Sequence, residues 1–141
     1  MAAINHRRVA VGAIAGGAVF FVWSILINFL VLGQRYEAAQ AAGHFLKEPR
    51  YSTFLWFWIL TILVLSSICA WFYAHIRNVR EPGPRTALLV GIFIGFAAGF
   101  PLSFSTASWS PIPRIFPFWW MMELWVGCVL ASIVGGWLYK D

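Results

Sequence analysis

The chain has 141 residues, 61% hydrophobic and 11% charged, with a formal net charge of +5. That charged share is about half of the roughly 25% usual in soluble domains, so composition excludes a water-soluble globule. The basic residues gather at the ends of apolar runs and form no stripe, so the positive charge reads as membrane topology and no nucleic-acid partner is expected.

Four apolar segments follow one another, at residues 9–32, 53–76, 86–107 and 118–138. Each is long enough to cross a hydrocarbon layer of about 30 Å at about 1.5 Å per residue. They predict an all-α membrane protein with one integral domain over residues 1–141. Its expected form is a four-transmembrane-helix bundle, with two tandem helical hairpins as a possible arrangement and a short amphipathic interfacial helix after the first span.

The first span follows Asn5, His6, Arg7 and Arg8 and is too long for the core of a cleaved leader, so it reads as a retained helix. The connection after it, residues 34–52, has high helix propensity from Tyr36 to Ala42, broken near Gly43 and ended before Pro49. It reads as a spacer on the outer membrane surface, with a lid or a partner-binding shelf as the functional alternative. The second span contains Cys69 and the fourth Cys128. Their counted depths differ by about 9 Å, which argues against a disulfide.

Between the second and third spans, Pro82, Gly83 and Pro84 make a tight basic turn between Arg80 and Arg85. The third span carries Pro101, where a kink is expected. Pro111, Pro113 and Pro117 make the last connection short and stiff. The openings Arg8 to Gly16 and Arg85 to Gly95 are alike, as are the closings around Trp71 and Trp137, which suggests the tandem hairpins.

Six basic residues (Arg7, Arg8, Arg77, Arg80, Arg85 and Lys140) fall on one side, against four (Arg35, Lys47, Arg50 and Arg114) on the other. The positive-inside rule then predicts both termini in the cytoplasm.

Without a hydrophobic drive between helices in lipid, association rests on small residues and buried hydrogen bonds. Small stripes at four-residue spacing occur in every span: Gly12 and Gly16; Ser66, Ala70 and Ala74; Gly91, Gly95 and Gly99; and Gly127, Ala131 and Gly135. Internal packing is the first expectation. A second is that the three-glycine run of the third span faces another copy or another protein. Trp56, Trp58, Trp109, Trp119 and Trp120 map to the outer boundary as interface aromatics.

Glu123 is the one acidic residue inside a span, where it is costly unless paired or neutralised. Asn28 lies at a matching depth, about 6 to 8 Å from the same face at 1.5 Å per residue. With Ser103, Ser105, Thr106 and Thr61 they sketch a small polar chamber opening outward. It reads as a structural clasp between the first and last spans, or else as a site for a cation, a proton or a small ligand. No catalytic motif and no metal-ligand spacing is present, so neither an enzyme nor a bound metal is expected. No cofactor is predicted. His75 alone offers a remote route to a pigment or haem.

The stretch Trp71 to Arg77, the turn Pro82 to Ala87 and the ending Gly135 to Lys140 together resemble a group of small uncharacterised bacterial four-span membrane proteins. That resemblance implies a bacterial inner-membrane bundle and carries no activity. The functional expectation is a non-catalytic accessory subunit of a larger membrane complex, with respiratory and photosynthetic assemblies as candidates. Its partners would be lipid and other subunits or a second copy. The alternative is a small transporter or ligand-binding protein built on Asn28 and Glu123.

Overall fold

The computed structural model describes residues 4–139. Lys140, counted above toward topology, lies outside them. Every regular element among the described residues is helical, and no strand occurs among them. Helix α1 spans His6–Ile25 and runs into a π-helical turn at Leu26–Val31; α2 spans Gly33–Ala41, α3 Phe54–Ile76, α4 Pro84–Trp109 and α5 Ile115–Leu138. Four helical spans, from His6–Val31 through α3, α4 and α5, are long and apolar enough to cross a membrane. The chain is a multi-pass membrane protein folded as a four-helix bundle.

Local chemistry sets the helix ends. The Asn5 side chain accepts from the Arg8 N–H at 3.1 Å and caps α1. Short α2 stops at Gly43, whose φ of +80° strongly favours glycine. There the Gly43 N–H donates to Gln40 O (3.1 Å) and the His44 N–H to Ala39 O (2.9 Å), the paired bonds of a Schellman cap. Pro84 opens α4 at a position that needs no N–H donor. Helix α4 continues through Pro101 to Trp109 without a break in its assignment.

Helix α5 is the shared partner, packing on α1, α3 and α4. On its face toward α1, a Cβ placed on Gly12 would lie 3.2 Å from Gly135 Cα, and one on Gly16 would lie 2.7 Å from Ala131 O. The Phe20 ring is seated on Gly127, where an added Cβ would come within 2.1 Å of it. One further step brings Ser24 to Glu123. Four residues up α1 thus correspond to four residues down α5, and Glu123, Gly127, Ala131 and Gly135 form one column.

A second column uses another face of α5. Gly91, Gly95 and Gly99 of α4 sit against Val129, Trp125 and Met121, with added Cβ atoms at 2.5 Å from Val129 Cα, 2.7 Å from Trp125 O and 2.9 Å from Met121 O. The three-glycine run therefore packs inside the bundle. This is the first of the two expectations, internal packing; the second, that the run faces another copy or another protein, does not hold, because α5 already fills the space its missing side chains leave. Ser66 and Ala70 of α3 complete the core: the Ser66 hydroxyl donates to Ala13 O at 2.7 Å, and Ala70 Cβ lies 3.7 Å from a Cβ built on Gly135.

The two hairpins are unequal. A two-fold relation between them would pair α3 with α4 as closely as α1 with α5, yet α3 and α4 make only limited contact.

The cysteines correct the depth argument. Cys69 and Cys128 are both 0% exposed in one core cluster, and the Cys69 thiol donates to Cys128 O at 3.8 Å. Helix α5 begins at Ile115, three residues before the expected Phe118, so measured from the observed helix starts the two cysteines differ by about 3 Å in depth.

Candidate functional site

The buried polar cluster lies at the end of the bundle that carries α2. Glu123 is 1% exposed. Its Oε1 accepts a short hydrogen bond from the Ser24 hydroxyl. Ser24 Oγ in turn accepts from the Trp58 indole N–H at 3.1 Å, so α1, α3 and α5 meet at one hydroxyl. The Asn28 amide donates to the Ser24 carbonyl at 3.0 Å, which ties it to the same residue that donates to Glu123.

Tyr36 brings α2 into the same network. Its hydroxyl donates to Asn28 Oδ1 at 3.1 Å and accepts from the Trp120 indole N–H at 2.7 Å. Burial pushes the Tyr36 phenol above its ordinary value of 10.0, the Trp120 N–H partly offsets that, and the Glu123 carboxyl adds to the rise.

An indole N–H can only donate. Trp58 and Trp120 therefore fix the sense of both chains, one running Trp58 to Ser24 to Glu123 and the other Trp120 to Tyr36 to Asn28 to the Ser24 carbonyl. Glu123 is the terminal acceptor of the first, and both converge on Ser24.

The π turn sits beside this cluster. The Leu32 N–H reaches back to Ile27 O at 3.0 Å, spanning five residues instead of four. Helix α2 then folds over the bundle end. Ile27, Leu32, Ala39 and Phe116 are buried there, with Phe45, Trp119 and Trp120 packed around them. Phe45 stands edge-on to Phe116 at 4.9 Å and to Tyr36 at 5.8 Å. Together these rings roof the carboxyl.

The structure thus brings Asn28 and Glu123 together and leaves the expected hydroxyls elsewhere. Thr61 donates to Phe57 O and Thr106 to Leu102 O, both at 2.8 Å and both on their own helices. Ser105 is exposed, and buried Ser103 has no described bond to the network. The physical reason is the two-column packing: α4 meets a different face of α5 from the one that bears Glu123. An outward-opening chamber is replaced by a roofed cluster. A cavity of about 430 Å³ does occur, but at the opposite end, lined by residues including Tyr73, Arg77, Gly136 and Tyr139.

Two of the expected interface aromatics are donors within the network, namely Trp58 and Trp120. Trp56 and Trp109 are exposed, and Trp119 is half-buried under the α2 roof. Sequence reading passed over Ser24 and Tyr36. Ser24 carried a usable signal, since it continues the four-residue steps from Gly12, Gly16 and Phe20.

The His75 ring lies against Trp71 with centroids 3.8 Å apart and planes tilted by 42°, and its Nδ1 faces Trp71 O at 2.8 Å. Among the described residues no group of three or more histidines, cysteines and acids is placed to hold a metal ion. No family model matches the chain, and neither a curated protein nor a solved structure matches it.

Proposed function

We propose that this chain is a non-catalytic accessory subunit that contributes a rigid four-helix bundle to a larger assembly in a bacterial inner membrane. The observation that carries the reading is the closure of the Glu123 cluster. The one acidic side chain inside a described span is buried and accepts from Ser24 of α1, which in turn accepts from Trp58 of α3, beneath an aromatic roof, and this suits a clasp more than a binding site. Such a clasp makes a prefolded bundle whose remaining work is done by its outer faces.

Helix α3 is the favoured contact face. Only 22% of its most apolar stretch is buried in the bundle, against 39% for the first span, 33% for α4 and 39% for α5. The rest is open to lipid and to partner helices. The end bearing Arg7, Arg8, Arg77, Arg80 and Arg85 is assigned to the cytoplasm on the positive-inside rule.

The test is gentle extraction from the native membrane, followed by identification of whatever co-migrates with the chain. A stoichiometric assembly with other membrane proteins, lost when bulky polar residues replace Leu60 and Val64 on α3, supports the reading. A free monomer or homodimer overturns it.

One observation favours a second reading, a small-ligand or cation protein. Tyr36 couples the roof directly to Asn28 and, through Ser24, to the carboxyl, so displacement of α2 would open the cluster. Saturable binding or uptake that disappears in Glu123→Gln, with assembly intact, would replace the accessory-subunit reading by this one.

A further inference from the structure

The two cysteines are the one nucleophilic cluster that neither reading uses. Cys69 of α3 and Cys128 of α5 are 0% exposed in one core cluster, with the Cys69 sulfur 3.8 Å from the Cys128 carbonyl oxygen. Ser132, one turn along α5 from Cys128, is also 0% exposed. Among the described residues its Oγ has no hydrogen-bond partner. A buried hydroxyl without a full partner is costly, and a site that retains one calls for an explanation. From this juxtaposition of two thiols and an unspent hydroxyl we infer that Cys69 and Cys128 are an oxidation site, closing to a disulfide that ties α3 to α5.

The chemistry favours a disulfide over a bound soft metal ion. A monovalent ion held by two thiolates would leave net negative charge in the apolar core, whereas a disulfide is neutral. The oxidant is a hydroperoxide, of which hydrogen peroxide is small and uncharged enough to enter the bilayer. The Cys69 sulfur attacks one peroxide oxygen, the O–O bond breaks, and the departing hydroxide takes the thiol proton to leave as water. The Cys128 sulfur then attacks the sulfenic sulfur of Cys69. The S–O bond breaks, and the hydroxyl leaves with the Cys128 proton as a second water. Ser132 is assigned as a positioning residue: one helical turn from Cys128 and with its O–H not otherwise engaged, it would donate to the reacting sulfur as charge develops there.

The test treats the full-length protein, in native-lipid particles, with hydrogen peroxide. It reads intact mass and the thiols open to alkylation after denaturation. The expected result is loss of two hydrogens and of both alkylatable thiols, reversed by a phosphine reductant. Cys128→Ala abolishes the cross-link, and Ser132→Ala slows its formation several-fold while the bundle still elutes as wild type. Should both thiols stay alkylatable, or should oxygen be added to each sulfur separately without a cross-link, the proposal is overturned. An unchanged rate in a folded Ser132→Ala variant overturns the role given to Ser132.

Discussion

The Ser24 hydroxyl donates to the Glu123 carboxyl, joining the first transmembrane helix to the last at the top of a column that begins with Gly12 against Gly135. The bond sits where both columnar packing and polar pairing must be satisfied. Its removal should therefore cost more than one average hydrogen bond.

Ser24→Ala leaves the Trp58 indole and a carboxyl oxygen buried without their partner. The expected loss is about 1–3 kcal/mol. Reversible unfolding in mixed micelles measures it. Glu123→Gln should also destabilise, because one end of the amide is a donor and Ser24 already brings a donor to that position. A Glu123→Gln variant as stable as wild type would contradict the fixed sense of the network.

Tyr36→Phe removes the one hydrogen-bonded link between α2 and Asn28. The bundle should persist while residues 33–45 exchange amide hydrogens faster, and the fluorescence of Trp120 should shift to the red as water reaches its indole. Unchanged exchange in that segment would mean the aromatic roof holds α2 unaided.

Tyr36 also gives a pH dependence. Its phenol titrates above 10.0 when folded, so the folded state retains the proton that the unfolded state has released. The associated stability is fully present below that value and is lost as pH rises through the folded pKa. Alkaline titration of wild type against Tyr36→Phe, followed by tyrosinate absorbance and by α2 exchange, should show one late-titrating phenol absent from the variant.

The glycine columns predict a ranking. Gly91→Ala would set its Cβ 2.5 Å from Val129 Cα, whereas Gly12→Ala meets Gly135 at 3.2 Å. Backbone cannot move aside as a flexible side chain can. Gly91→Ala should cost about 1–3 kcal/mol, with Gly12→Ala the milder of the two. Thermal unfolding of both variants in detergent checks the order.

Most of the bundle was legible in the sequence because long apolar runs have few alternatives in a bilayer. The observed α3 begins one residue from the expected start, and α5 three residues early because Pro117 fits a first helical turn. Small stripes were visible on every span, but stripes alone do not say which faces meet. The register that sets Phe20 on Gly127 and Ser24 on Glu123 is a property of two helices together. Depth could be counted, and it brought Asn28 to the level of Glu123. Azimuth could not, and it is azimuth that turns Ser103 and Thr61 away from the carboxyl. Trp58 and Trp120 were read as anchors because an indole near a membrane boundary gives the same signal whether its N–H faces water or a buried hydroxyl.

The π turn at Leu26–Val31 divides the first span into two zones with different tolerance for length change. A residue gained or lost between Gly12 and Ser24 would rotate every later side chain by about 100° and dephase the whole column against α5. The same change within the π turn after Asn28 would leave that column and Asn28 in place and swing only α2, carrying Tyr36 off Asn28. Natural insertions and deletions should therefore collect after Asn28, where they re-aim the roof without unmaking the bundle.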